Sequence, residues 1–468
     1  MLALSAMTAA LTTFGAQTAV PPAGAEAGPP PALHTFTFDN GLKVFLRPID
    51  HCESIALVVV YSFGEGADPE GQSGLGHLIE HLYCMSAAGD IPARTAEAWF
   101  SAYAPPLGCN AQTGEDYTVF ATVFRPDRLE AEIREAALRM SDLRIEQADL
   151  EREWPRMELE LSNMHGGFAR LAAMNRAREL VRPSPTGARK GGVIEQIRTI
   201  PLEHIKARWA KYYRPNNARL AIAGGFEPAH ARRLIERWFA RLPSGEPAPA
   251  ARPRPPGMSG VTDIITAQQH FGTPESDAMV CKAFRAPLPG EEHYIALQSV
   301  VGGLYRKMMA QRSVSGPGAP QVFYMAVDDP SFIAVMAPVP SQVAPEKASA
   351  ELDRWIASAV TVKDEAAAVD TATPRGAFGP LMGLPGTPEL ALAQNPYGLA
   401  FGLARADQLG IDAEELVAGL DKLTGQDLRR CAEAVFAPEC GVTVIARLPA
   451  ESDPEAPAAE TATPSEDE

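Results

Sequence analysis

Apolar residues along the chain switch between two periods, and the switches predict its elements. The unbroken run from Ile55 to Tyr61, rich in β-branched residues, reads as a strand buried on both faces. Before it, Thr35-Phe36-Thr37-Phe38 alternates, Asp39-Asn40-Gly41 offers a tight turn and Leu42 to Leu46 returns, which predicts a hairpin. Helical spacing predicts helices over 75–85, 127–140, 147–163, 202–212 and 228–240, and two-residue alternation predicts strands over 110–124 and 218–223. The mixture resumes further on, with helices over 290–311, 344–358 and 425–436 and strands over 322–327, 332–337 and 441–446.

Between these stretches lie six prolines in the fifteen residues 243–257, a run that holds neither a helix nor an interior strand. The chain therefore divides into a lead-in (1–31), an α+β half (32–242), a Pro-rich linker (243–260), a second α+β half (261–450) and a tail (451–468). The tail is acidic, rich in Pro and Ala and without aromatics, the composition of a disordered segment. The Gly- and Pro-rich stretch 371–385 reads as a surface loop.

Composition narrows the function. Of the 468 residues, 46% are hydrophobic and 21% charged, a soluble globular profile with ample core. The 42 basic and 58 acidic side chains leave a net charge of −16, which argues against nucleic acid as a partner. No segment supplies the ~20 consecutive apolar residues of a membrane span. Six scattered cysteines with no C-x-x-C pair give neither a disulfide scaffold nor a cysteine-based zinc site; Cys431 and Cys440 are near enough in sequence to bridge in an oxidising compartment. The Ala-rich start, with Ala23-Gly24-Ala25 and Ala25-Glu26-Ala27, suits a cleaved export signal, but the first Lys or Arg is Lys43. A periplasmic or exported protein and a cytoplasmic one are both compatible with it.

Candidate chemistry concentrates in His77-Leu78-Ile79-Glu80-His81, an H-x-x-E-H motif within the predicted helix 75–85. Residues four apart share a helix face, so His77 and His81 can offer imidazole nitrogens to one metal. Glu80 projects beside it, able to accept the proton of a metal-bound water. One Zn²⁺ per chain is the expected ion, because two His and a carboxylate with one position left open form the catalytic arrangement. Cys84, three residues on, reads as a small buried residue of the same helix. A third ligand must come from elsewhere, and the acidic helix 147–163 offers several.

With these residues the sequence resembles the pitrilysin/insulinase family of zinc metallopeptidases, and its processing-peptidase branch in particular. Gly74-Leu75-Gly76 before the first His, Asn110-Ala111-Gln112-Thr113 running on to Asp116 and Thr118, and Tyr212 to Asn217 leading into the strand at Ala218 extend the likeness over most of the chain. The resemblance implies a fold of two homologous α/β sandwich halves, each a sheet covered by helices, closing like a clamshell. It implies Glu158 as the third zinc ligand, 77 residues beyond His81, and Glu151, seven residues earlier on the same helix face, as a supporting carboxylate. Glu153 and Glu160 then read as the solvated face. It also implies that the strand at Asn110 and Ala111 pairs with an extended substrate through its backbone.

Two features depart from the family pattern. Pro155 stands between Glu151 and Glu158 and is expected to kink or restart that helix. The Arg and Tyr that relatives carry seven residues apart in the second half, gripping the substrate backbone, are not at that spacing; Arg312 and Tyr324 are the nearest candidates. The expected function is a zinc endopeptidase acting on peptides or unfolded polypeptide. It would be the catalytic member of a pair with a homologous partner chain supplying the clamp, or a homodimer. The alternative is a non-catalytic assembly or peptide-binding subunit.

Overall fold

The computed structural model describes residues 32–103, 108–184, 190–249, 256–268, 276–315, 320–324, 332–340, 342–361 and 396–448. The expected lead-in, the Gly/Pro-rich loop at 371–385 and the acidic tail lie outside them.

Two sheets organise the chain. The first contains β1 (His34–Thr37), β2 (Lys43–Pro48), β3 (Ile55–Tyr61), β4 (Gly108–Thr113), β5 (Thr118–Phe124) and β6 (Ala218–Gly224), in the order β1-β2-β6-β3-β5-β4. The second contains β7 (Val261–Thr266), β8 (Ser276–Arg285), β9 (Gln321–Tyr324), β10 (Phe332–Pro340) and β11 (Gly441–Arg447), in the order β9-β10-β8-β11-β7. Strand for strand the second repeats the first without β1: β2 and β6 pair parallel, as do β7 and β11, and the other pairs are antiparallel. The two halves thus share one topology, each a sheet covered by helices.

Each sheet has its own helices on one face and a helix from the other half on the opposite face. The first half contributes α1 (Leu75–Met85), α2 (Ala96–Ala102), α3 (Leu129–Ser141), α4 (Gln147–Ser162), α5 (Ala169–Val181), α6 (Leu202–Tyr212) and α7 (Pro228–Phe239). The second contributes α8 (Tyr294–Ser315), α9 (Pro345–Val360), α10 (Pro396–Leu409), α11 (Ala413–Leu420) and α12 (Gly425–Phe436). Of these, α5 crosses to lie on β8 and β11, while α10 crosses to lie on β3 and β6. The exchange explains the unbroken apolar run of β3: Ile55, Leu57, Val59 and Tyr61 join the core beneath the first half's helices, and Ala56, Val58 and Val60 join the core beneath α10. The halves are therefore interlocked rather than two leaves held only by the proline linker.

Three expectations need correction. The single strand expected over 110–124 is a hairpin, β4 and β5, because Gly114-Glu115-Asp116 breaks the alternation and turns the chain. Pro155 does not restart α4, which runs from Gln147 to Ser162 with the proline inside it. It costs one backbone bond, which flanking turns and tertiary packing outweigh. The helices α5 and α10 were not foreseen. Ala and Gly supply four of the six buried residues of α5 and five of the ten of α10, small enough to lie close on a sheet but weak as a periodic signal.

Candidate metal centre

Every residue of α1 is buried, so its polar side chains must find partners inside the protein. Its start is fixed by Asp68, whose carboxylate accepts from the backbone N–H of Gly74 and of Gly76, each at 3.0 Å. Gly74 has φ 91°, and a Cβ there would meet Ile197 at 2.5 Å and the Gly191 carbonyl at 2.9 Å. Only glycine fits that entry to the helix.

The two histidines are oriented from behind. His77 Nδ1 donates to the Gly191 carbonyl at 3.0 Å, since a carbonyl can only accept, and His81 Nδ1 lies 3.2 Å from Glu153 Oε2. In the neutral rings both Nε2 atoms are thereby left as acceptors, and both turn toward Glu160, at 3.5 Å from His77 and 3.4 Å from His81. Hydrogen bonds to the far ring nitrogen are how metal-binding histidines are held in the ligating tautomer.

Four-coordinate zinc with bonds of about 2.0–2.1 Å keeps its ligand atoms about 3.3–3.4 Å apart, close to these spacings. His81 Nε2 and Glu160 Oε2 are buried atoms with no hydrogen-bond partner, a costly state that a cation between them relieves. The donor set of two imidazoles and one carboxylate fits zinc. Among the described residues, His77, His81 and Glu160 are the one such group whose ligand atoms converge, all within 4.8 Å of one another.

The charges agree. Burial opposes protonation of His81, but the carboxylates of Glu153 and Glu160 outweigh it and raise its pKa to about 9; His77 is raised in the same way by Glu160. Burial likewise opposes charge on Glu160 and Glu153, yet the two histidines hold Glu160 well below the usual carboxylate range, and His81 with Arg156 and Arg152 lowers Glu153.

The third carboxylate is where the sequence reading needs correction. Glu158 is half exposed and pairs with Arg198 at 2.7 Å, and Glu151 is exposed beside Gln147. Both pairs of glutamates keep the seven-residue spacing, but a shift of two residues turns a helix by about 200°, to the opposite face. The missed signal lay in the apolar stripe of α4. Leu150, Met157 and Leu161 are its buried face, and Glu153 and Glu160 stand in line with them. Glu153 is almost wholly buried, with Arg156 at 3.1 Å as a second partner.

Glu80 is buried next to His81 and accepts from Thr113 Oγ1 at 2.7 Å. Thr113 ends β4, the outer strand of the first sheet and the one carrying Asn110 and Ala111. Gly114 N donates to Tyr117 O at 2.8 Å, and alternation along the antiparallel ladder then points the N–H and C=O of Ala111 and Thr113 away from β5. The Thr113 carbonyl accepts from Lys190 Nζ, and Asn110 directs its backbone to Ala121 in β5. Tyr324 is buried in β9 with its hydroxyl 2.9 Å from Gln298 Nε2, so it does not offer itself to a substrate. The side chain of Arg312 lies outside the described residues. Cys84 is buried with its thiol pKa pushed up by burial, and the cysteines, Cys431 and Cys440 among them, are free.

Over part of its sequence and in its fold, the chain is similar to proteins of the M16 peptidase type. Residues 199–304 match the family model described as the Peptidase M16 inactive domain. Over 209 residues the chain is 21% identical to an uncharacterized zinc protease of Rickettsia bellii, covering 44% of this chain and 50% of that protein; the chain thus matches about half the length of this relative. A protease from Helicobacter pylori shares the fold at a TM-score of 0.70 and 17% identity, over 89% of this chain and all but 1% of that one (99% covered). The periplasmic protease PqqL from Escherichia coli shares it at 0.62 and 14%, over 88% of this chain but only 47% of its own. Among the described residues no helix is long and apolar enough to cross a membrane.

Proposed function

We propose that the chain is a zinc-dependent endopeptidase that cleaves peptides or unfolded polypeptide segments, with His77, His81 and Glu160 as the zinc ligands. One observation carries this reading: both histidines are tied down through Nδ1 while both Nε2 atoms converge on the Glu160 carboxylate, whose buried Oε2 has no hydrogen-bond partner. Bound there, zinc would supply Lewis acidity toward a peptide carbonyl and the charge that develops on its oxygen. Glu80, held by Thr113, takes the proton of the attacking water and returns it to the leaving amine. An extended substrate strand laid along β4 pairs with the outward N–H and C=O of Ala111, which gives affinity with little demand on sequence.

A non-catalytic assembly or peptide-binding subunit is the alternative, favoured by the word "inactive" in the description of the matched family model. That match spans 199–304 and contains none of His77, Glu80, His81 and Glu160. The buried Tyr324 and the half-length match to PqqL favour an active unit that includes a second, related chain.

Zinc content and cleavage of an unstructured peptide, measured on wild type and Glu80→Gln, test the proposal. Zinc near one per chain in both proteins, with cleavage lost only in Glu80→Gln, is the expected result. Persisting cleavage in Glu80→Gln removes the assigned role of Glu80, and a zinc-loaded wild type without cleavage favours the subunit reading.

A further inference from the structure

Arg405 brings the second half of the chain to the candidate metal centre. It lies on α10, the helix laid across the first sheet, and is 0% exposed. Its Nη1 and Nη2 are 3.2 Å from the carboxylate oxygens of Asp116, and its guanidinium carbon is 4.2 Å from the centre of the Tyr117 ring. Gln408, three residues on, donates to the Asp116 carbonyl at 2.8 Å and accepts from Arg405 at 2.6 Å. Asp116 and Tyr117 form the turn between β4 and β5.

The other side of that turn is fixed to the approach to α1. Glu65 N donates to the Gly114 carbonyl and Gly66 N to the Glu115 carbonyl, both at 2.9 Å. Two lines of contact run inward from there. Thr113, just before the turn, donates to Glu80; and the Glu65 carboxylate accepts from Gly191 N at 2.7 Å, whose carbonyl orients His77. The turn has little room to shift by itself, because a Cβ on Gly64 would stand 2.1 Å from the Gly114 carbonyl and one on Gly114 2.2 Å from the Tyr117 ring.

Stability alone is a weak reason for this arrangement, since an apolar pair of similar volume is often as stable as a buried ion pair. What a bidentate guanidinium–carboxylate contact adds is fixed geometry. We infer that Arg405 is a positioning residue for the candidate metal centre: through Asp116 it fixes the β4–β5 turn, and with it Thr113 against Glu80 and Glu65 against the strap that orients His77. The second half would then set the geometry of a site whose groups all lie in the first. The inference rests on the proposed peptidase reading for its kinetic consequence, though not for its structural one.

The test uses the full chain as wild type, Arg405→Lys and the double variant Arg405→Met/Asp116→Asn, which leaves no buried charge unpaired. Hydrogen exchange is followed in 108–118 and, as a control, in β8 and β11, beside zinc content and the separate values of kcat and KM. In the folded double variant, exchange in 108–118 is expected to rise and kcat to fall, each by about tenfold, at constant zinc content and with a smaller rise in KM from the loosened β4. Arg405→Lys, keeping the charge without the fork, should fall between. Unchanged exchange in 108–118, or exchange raised equally in the control strands, overturns the inference. If zinc-loaded wild type cleaves nothing, the peptidase reading fails while the exchange result still decides the role of Arg405.

Discussion

Glu153 and Glu160 approach His81 from opposite ring nitrogens, Glu153 Oε2 at 3.2 Å from Nδ1 and Glu160 Oε2 at 3.4 Å from Nε2. Seven residues apart on α4, they divide the work between them. One carboxylate holds the ring, and the other stands where a ligand is needed.

Their neighbours supply the control. Glu160→Gln removes the charge of the proposed ligand and should leave the chain with little zinc after dialysis against a weak chelator. Glu153→Gln weakens the support for His81 and should lower zinc affinity by about 10–100-fold without abolishing binding. Glu158→Gln, whose side chain is half exposed and paired with Arg198, should keep zinc and cleavage at wild-type levels. Metal analysis of the three variants checks this. Zinc lost from Glu158→Gln but kept by Glu160→Gln would return the ligand to the position first expected.

The contrast also shows what was legible in the sequence. The helix 75–85, strand 55–61 and helix 425–436 are found within the expected bounds, because each has an apolar pattern that packing does not override. The H-x-x-E-H spacing put both histidines on one helix face. The third carboxylate was misplaced because a count along the chain does not fix rotation about a helix axis, whereas the stripe Leu150, Met157 and Leu161 does. The grip of Arg405 on Asp116, across 289 residues, left no local trace at all.

Acidity should act on metal loading with a definite sign. Without metal, His81 has its pKa raised to about 9 by Glu153 and Glu160, against the effect of burial, so it is charged at neutral pH. A metal binds the neutral ring, so loading at pH 7 must expel a proton, about one per zinc from His81 alone, and apparent affinity should climb as pH rises toward 9. Calorimetry in buffers of different ionisation enthalpy reads that proton directly. The same shift governs the metal-free fold. A raised histidine pKa contributes stability that is complete below the unfolded value near 6.5 and is lost as pH climbs through about 9. The lowered carboxylates contribute stability present above about 4.5 and lost as pH falls through their folded values. The melting temperature of the chelator-treated chain should therefore decline from pH 7 to 10, and zinc should offset the decline. Equal slopes with and without zinc would separate His81 from the metal.

The outer strand β4 gives a test that leaves the metal cluster unchanged. Ladder alternation turns the N–H of Ala111 away from β5, so it makes no bond within the sheet. Proline is tolerated at such an edge position because the donor it removes is not part of the ladder. Ala111→Pro should therefore fold, and zinc content should match wild type. A substrate strand laid along β4 would lose one backbone hydrogen bond and meet the pyrrolidine ring where it needs to approach. The expected result is a fall in kcat/KM of about tenfold or more for an extended peptide, since a lost bond and a clash together exceed the ~1.4 kcal/mol that a factor of ten represents. Asn110→Ala separates side chain from backbone: its main chain already bonds to Ala121, so a pure backbone docking mode predicts a smaller effect than Ala111→Pro. Full activity in Ala111→Pro would show that peptides reach the metal centre by a path other than β4.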